Sequence, residues 1–185
     1  MYYYFVLVLH YLTMMPVLFC DDTPSPVNLG NLAVAREKTT SNCTAKCKGT
    51  ECHSHCLGTM SSASVVGFNA TAMAIGDLST VECYGPFCKT ACEAQMNVCM
   101  SKCFGRACEA ICHAETCITF SVGAFSSSSC TGDKCFANCT GDECSSWCAG
   151  VGCRSECRAN NCEAYCSGSG CRSSCHGRLC KHTAH

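Results

Sequence analysis

The stretch CTGDKCFANCTGDECSSWCAGVGCRSECRANNCEAYCSGSGCRSSCHGRLC, residues 130–180, decides the architecture, because a cysteine falls at every fifth or fourth position without a miss. These are Cys130, Cys135, Cys139, Cys144, Cys148, Cys153, Cys157, Cys162, Cys166, Cys171, Cys175 and Cys180, so the period is nine residues. A glycine follows the second cysteine of each unit by two residues, at Gly132, Gly141, Gly150, Gly168 and Gly177, with Ala159 in its place once. Self-similarity at a short fixed period implies one structural unit stacked on copies of itself, here linked by sulfur. The same C-x-G-x-x-C-x-x-x-C unit recurs upstream, where Gly49 precedes Cys52 and Cys56, Gly85 precedes Cys88 and Cys92, and Gly105 precedes Cys108 and Cys112.

Cysteine supplies 25 of 185 residues, a density that persists in proteins only where the surroundings are oxidising, which predicts secretion. The start agrees. Tyr2 to Phe19 is an apolar stretch, interrupted by His10 and ended by Cys20 before Asp21 and Asp22. It is short for a membrane span and suits a signal peptide over residues 1–20, although a basic n-region is missing. An uncleaved anchor is the alternative, and a lipoprotein signal is disfavoured by the bulky Phe19 before Cys20. Of the 25 cysteines, 24 remain without Cys20, an even number as full pairing requires. Three N-x-S/T sequons, at Asn42, Asn69 and Asn138, are candidate glycan acceptors, two of them with a cysteine in the middle position.

The formal net charge is −1. Within residues 130–180, Lys134, Arg154, Arg158, Arg172 and Arg178 are balanced by Asp133, Asp142, Glu143, Glu156 and Glu163, which leaves no footprint for nucleic acid or an anionic membrane. The chain divides into a signal peptide (1–20), a Pro-containing spacer (21–42) and a first cysteine block (43–56) with Cys43, Cys47, Cys52 and Cys56. A Ser-rich apolar spacer (57–82) leads to a second block (83–117) with Cys83, Cys88, Cys92, Cys99, Cys103, Cys108, Cys112 and Cys117. A second spacer (118–129), the third block (130–180) and a tail (181–185) follow. The spacers read as loops or short strands packed on the blocks, or as free linkers.

Two cysteines four apart share one face of a helical turn, and the glycine two residues later suits the left-handed end of a helix. The fold expected on this reading is a small disulfide-rich solenoid or string of short helical turns with little sheet. Cys88, Cys92, Cys99 and Cys103 all fall on one side of a helical wheel, which predicts one longer amphipathic helix near residues 89–103. Large apolar side chains are few in the third block, so cystines must stand in for an ordinary core, each contributing ~2–4 kcal/mol. Their pairing is not given by spacing, since 24 cysteines allow on the order of 10^11 connectivities.

Soft thiolate clusters bind Zn or Cu(I), so the cysteines also invite a metal reading. The C-C, C-x-C and C-x2-C spacings of thiol-rich metal binders are missing, which favours disulfides. His53, His55, His176, His182 and His185 form no complete ligand set with their neighbours. His113 beside Cys112 resembles a Cys/His catalytic pair, but that chemistry needs a free thiol. No nucleophile elbow, zincin motif, phosphate loop or dinucleotide fingerprint occurs, so neither enzymatic activity nor a cofactor is expected. Trp147, Phe87, Phe104, Phe136 and Tyr165 are candidate contact residues for a protein or glycan, or else cover the sulfurs. The expected role is that of a secreted, non-enzymatic repeat protein with a structural or interaction function in an extracellular matrix, coat or fluid, binding a protein or glycan or further copies of itself. A thiol-rich metal binder and a secreted toxin or effector are the alternatives.

Overall fold

A computed structural model describes residues 18–19, 27–29, 34–38, 41–94 and 97–185. The expected signal peptide lies almost entirely outside them. The described residues form nineteen strands and no helix. They are β1 (Leu18–Phe19), β2 (Val27–Leu29), β3 (Val34–Lys38), β4 (Asn42–Lys48), β5 (His53–Leu57), β6 (Met60–Val66), β7 (Thr71–Ile75), β8 (Leu78–Tyr84), β9 (Lys89–Glu93) and β10 (Val98–Phe104). There follow β11 (Glu109–His113), β12 (Thr116–Val122), β13 (Ser127–Thr131), β14 (Phe136–Thr140), β15 (Ser145–Ala149), β16 (Arg154–Arg158), β17 (Glu163–Ser167), β18 (Arg172–His176) and β19 (Lys181–Ala184). Odd-numbered strands build one sheet of ten and even-numbered strands a second of nine. All pairings are parallel, and each strand hydrogen-bonds to the strand two further along the chain.

The molecule is therefore a two-walled parallel β-solenoid in which each nonapeptide makes half a coil. Five residues form a strand in one wall and four turn the chain into the other. The register Cys112↔Cys130↔Cys148↔Cys166 advances by eighteen residues, two nonapeptides, per coil. Turns stack as well: the Gly123 amide donates to the Thr140 carbonyl at 2.8 Å and the Phe125 amide to that of Asp142 at 2.9 Å. Backbone donors thus find partners one coil on even where no strand runs.

The helical reading is overturned at its root. Residues four apart lie on one face of a helix and also on one face of a strand, so C-x-x-x-C is compatible with both. What separates them is the residue in the middle. A helix turns it to the far side, whereas a strand places it inward between the two cysteines. Cys135, Ala137 and Cys139 are all buried, with Phe136, Asn138 and Thr140 on the outer face. The described residues of the expected helix near 89–103 instead form β9 and β10 in opposite walls. Its Ala, Glu, Gln and Met composition favours helix by only tenths of a kcal/mol per residue, too little to outweigh pairing with β7, β8, β11 and β12. The spacing that suggested the helix reflects a longer turn: Cys92 and Cys99 are joined across seven residues where other turns need five.

The glycines do not end helices either. Gly141 has φ +143°, and a methyl group there would lie 2.2 Å from the Gly123 carbonyl oxygen of the preceding coil. Close stacking of turns demands glycine, while the left-handed residue comes two positions later, at Glu143 (φ 56°). Ala159 keeps φ out of the positive region, and Asn161 (φ 55°) retains the left-handed position.

The space between the walls is narrow and filled by small groups. Beside the cysteines the buried residues are alanines, Val65, Val81 and a row of Ser and Thr hydroxyls. The spacers join this interior without a break. Segment 57–82 places Ser61, Ala63, Val65, Ala70, Ala72, Ala74, Ser79 and Val81 inward, where the cysteine blocks place Cys and small residues. Hydroxyls meet in pairs across the gap. Ser101 donates to Thr90 at 2.7 Å, Ser128 to Thr119 at 2.6 Å, and Ser146 lies 2.6 Å from Ser155. Ala110, Ala137 and Ala164 separate these pairs along the middle row.

Candidate functional site: sulfur columns and outer faces

The sulfurs line the two corners where the chain passes between walls. A half-cystine at the fourth position of a strand faces inward, as does one just before the next strand. The four-residue turn brings them together. At the corner leading from even to odd strands these pairs are Cys47–Cys52, Cys83–Cys88, Cys103–Cys108, Cys139–Cys144, Cys157–Cys162 and Cys175–Cys180. At the opposite corner they are Cys92–Cys99, Cys112–Cys117 and Cys166–Cys171. Cys43–Cys56 departs from the rule with a separation of 13. The register explains why. Cys43 would pair within its corner with a residue of β3, where Glu37 stands, and Cys56 with the position held by Ser61. With no cysteine at either of those positions, the two join from one corner level to the next, at a Cα–Cα distance of 5.7 Å that matches the 5.8 to 6.1 Å of the others.

Cys130, Cys135, Cys148 and Cys153 stand in the second column as buried thiols. The sulfurs of Cys130, Cys135 and Cys148 lie within 4.8 Å of one another. Burial, reinforced by hydrogen bonds with Cys135 and Cys148, drives the Cys130 thiol far up. The hydrogen bond from Cys130 pulls Cys135 down to about 5. At Cys148 the bond with Cys130 acts downward, but the bond with Cys135 and burial outweigh it and the thiol rises to about 11. Burial raises Cys153 to about 12.

The histidines do not enter this cluster. His53 and His55 sit on the outer face of β5, and burial followed by the charge of Arg36 lowers the His55 pKa. His176 and His182 lie on β18 and β19 at the C-terminal end. His113 ends β11 beside a cysteine already bonded to Cys117. Among the described residues, the groups able to hold a metal consist of cysteine alone.

Outer faces carry the remaining candidates. Phe87, half exposed, packs edge-on against Phe68 with ring centroids 5.3 Å apart. Tyr84 stacks on Phe104 at 5.0 Å, and Arg106 lies over the Phe125 ring at 5.1 Å. With Val66 and Val122 these form an exposed apolar ridge along the first corner, which the sequence reading saw only in Phe87 and Phe104. Phe136 meets Phe120 edge-on in the even-stranded wall, at 5.8 Å. Trp147 and Tyr165 are register neighbours on the odd-stranded wall. Arg154 and Arg158 flank Glu156, and the three form ion pairs that spend the positive charge locally. Of the sequons, Asn42 and Asn69 are exposed, whereas Asn138 is half-buried, accepting from Thr140 at 3.3 Å and donating to Glu156 at 3.4 Å.

The fold and its contents define a class: a cystine-stapled, two-walled parallel β-solenoid. No protein family, curated protein or solved structure matches the chain.

Proposed function

We propose that this is a secreted, non-enzymatic structural or interaction protein of an extracellular matrix, coat or fluid. The observation that carries the reading is the sulfur interior: ten cystines stand where a soluble domain of this length keeps its large apolar side chains. Such a body is built for oxidising surroundings and resists unfolding and proteolysis. Its stacked coils repeat each outer position at the ~4.8 Å spacing of paired strands, and where neighbouring coils carry like side chains, as in Phe68–Phe87 and Tyr84–Phe104, they form short rows suited to multivalent contact with protein or glycan. The aromatic ridge at Phe68, Tyr84, Phe87 and Phe104 is the best-placed of these rows.

Mass analysis of the protein secreted from a eukaryotic host tests the reading. It predicts a chain starting near Asp21, with the cystines closed and no alkylation of Cys130, Cys135, Cys148 or Cys153 before reduction, because the pairs Cys130–Cys135 and Cys148–Cys153 complete the column. The Cys130, Cys135 and Cys148 thiols, within 4.8 Å of one another, support a second reading, a site for one soft cation such as Zn(II) or Cu(I). Stoichiometric metal together with four alkylatable thiols would replace the first reading by the second at this place.

A further inference from the structure

We infer that the cystines of the second corner can shift register, so that a thiol created in this column moves along it by internal exchange. Three observations meet. First, each cysteine from Cys99 to Cys135 has two potential partners rather than one. The sulfurs of Cys92, Cys99 and Cys112 lie within 4.8 Å of one another, as do those of Cys112, Cys117 and Cys130, and those of Cys130, Cys135 and Cys148. Seven consecutive sulfurs thus form an unbroken chain of contacts across three coils. Second, the alternative pairing is one the fold already uses. Cys99–Cys112, Cys117–Cys130 and Cys135–Cys148 would each span 13 residues between consecutive corner levels, which is the relation of Cys43 to Cys56. Third, the sulfurs from Cys92 to Cys135 are all buried, so a thiol created among them meets cystine sulfur before it meets solvent.

The step is a thiol–disulfide exchange. The Cys130 thiol, which burial holds protonated, gives up its proton and attacks the Cys117 sulfur; a Cys117–Cys130 bond forms, and the Cys112–Cys117 bond breaks with its electron pair leaving on Cys112. The proton lost at Cys130 is regained at Cys112. Cys112 then attacks Cys99 in the same way, which releases Cys92. Each move keeps the number of cystines constant and requires no oxidant. The walk stops at Cys92, because the coil before it carries Ala74 and Ser79 at the corresponding positions. The Cys43–Cys56 bond already stands in this shifted register. The other corner has the same geometry at Cys162, Cys175 and Cys180, where the Cys162 and Cys175 sulfurs are 3.6 Å apart. A lost cysteine therefore costs the column one cystine without fixing where the odd thiol resides.

The test is Cys135→Ser in the full chain, purified oxidised, held at pH 8, quenched in acid, alkylated in denaturant and mapped without reduction. The expected result is label on Cys112 and Cys92 in amounts comparable to Cys130, with peptides joined as Cys117–Cys130 and Cys99–Cys112, at a rate independent of protein concentration. Removing the intermediate cystine as well (Cys112→Ala with Cys117→Ala) should confine the label to Cys130. Cys92→Ser supplies an independent start from the opposite end and should move label from Cys99 to Cys117. Label remaining on Cys130 and on Cys99 in the respective variants, or appearing at Cys92 in the blocked variant, would overturn the inference. Wild-type chains free of thiol leave the proposed function intact under either result.

Discussion

Between the walls, single hydroxyls decide whether the interior is satisfied. Ser128 donates to Thr119 at 2.6 Å with both side chains buried. Removing the donor alone strands a buried acceptor, which costs about 1–3 kcal/mol, whereas removing both polar groups need cost much less. Ser128→Ala should therefore lower the thermal midpoint more than Ser128→Ala combined with Thr119→Val. A double variant less stable than the single would mean that packing, not pairing, sets this row. The glycines allow a parallel comparison. Gly141→Ala drives a methyl group into the Gly123 backbone, with a contact of 2.2 Å, while Gly152→Ala meets nothing within 4 Å at φ +68°. The second should cost roughly 1–2 kcal/mol of left-handed strain, and the first should also separate two coils and depress the yield of correctly oxidised protein. Equal yields for the two would show that turn stacking tolerates a side chain.

At the scale of the nonapeptide, the period, the repeat architecture and the reliance on sulfur were legible, and the strand was not. Cysteine spacing alone is blind to the difference, because four residues complete two strand periods and just over one helical turn. The missed signal lies midway: Ala45, Ser54, Thr90, Ser101, Ala110, Ala137, Ser146, Ser155, Ala164 and Ser173 stand between the cysteine pairs, small in every unit. A solvent-facing helical position has no reason to exclude large residues, whereas a narrow two-walled interior does. Once the strand is known, the five-residue pairing follows from the turn, and Cys43–Cys56 follows from the gaps at Glu37 and Ser61. The thiol cluster had no signature, since Cys130, Cys135, Cys148 and Cys153 occupy the same repeat positions as bonded cysteines. The coil as the working unit gives a direct expectation. Deleting residues 145–162 removes one full turn, four cysteines and the paired Ser146 and Ser155 together, and joins β14 to β17 in the walls they already occupy. The shortened chain should oxidise fully and resist trypsin as the parent does. Scrambled cystines in that deletion would show that coils are not interchangeable.

For the molecule as a whole, stability is distributed unevenly between sulfur and ordinary packing. Residues 136–176 have cysteines at both corners and little else of bulk inside, since the buried groups between them are Ala137, Ser146, Ser155 and Ala164. The coil at β6 and β7 has no cysteine in its strands and is held by Val65 and four alanines, with Val81 in the next strand, Met60 beside Leu78 at one end of the outer wall and Val66 and Phe68 at the other. Repeat arrays owe their stability to each unit and its contacts with its neighbours, so loss of the crosslinks should act locally before it acts globally. Reduction frees the unfolded chain at every corner of the third block, where each cystine contributes ~2–4 kcal/mol and no apolar cluster offsets the lost constraint. Amide exchange in the reduced, alkylated chain should therefore be unprotected over residues 136–176, with residual protection confined to residues 60–84. Protection that survived equally in both regions would assign the fold to backbone stacking and small-residue packing, and the cystines would then serve chemical durability and not folding.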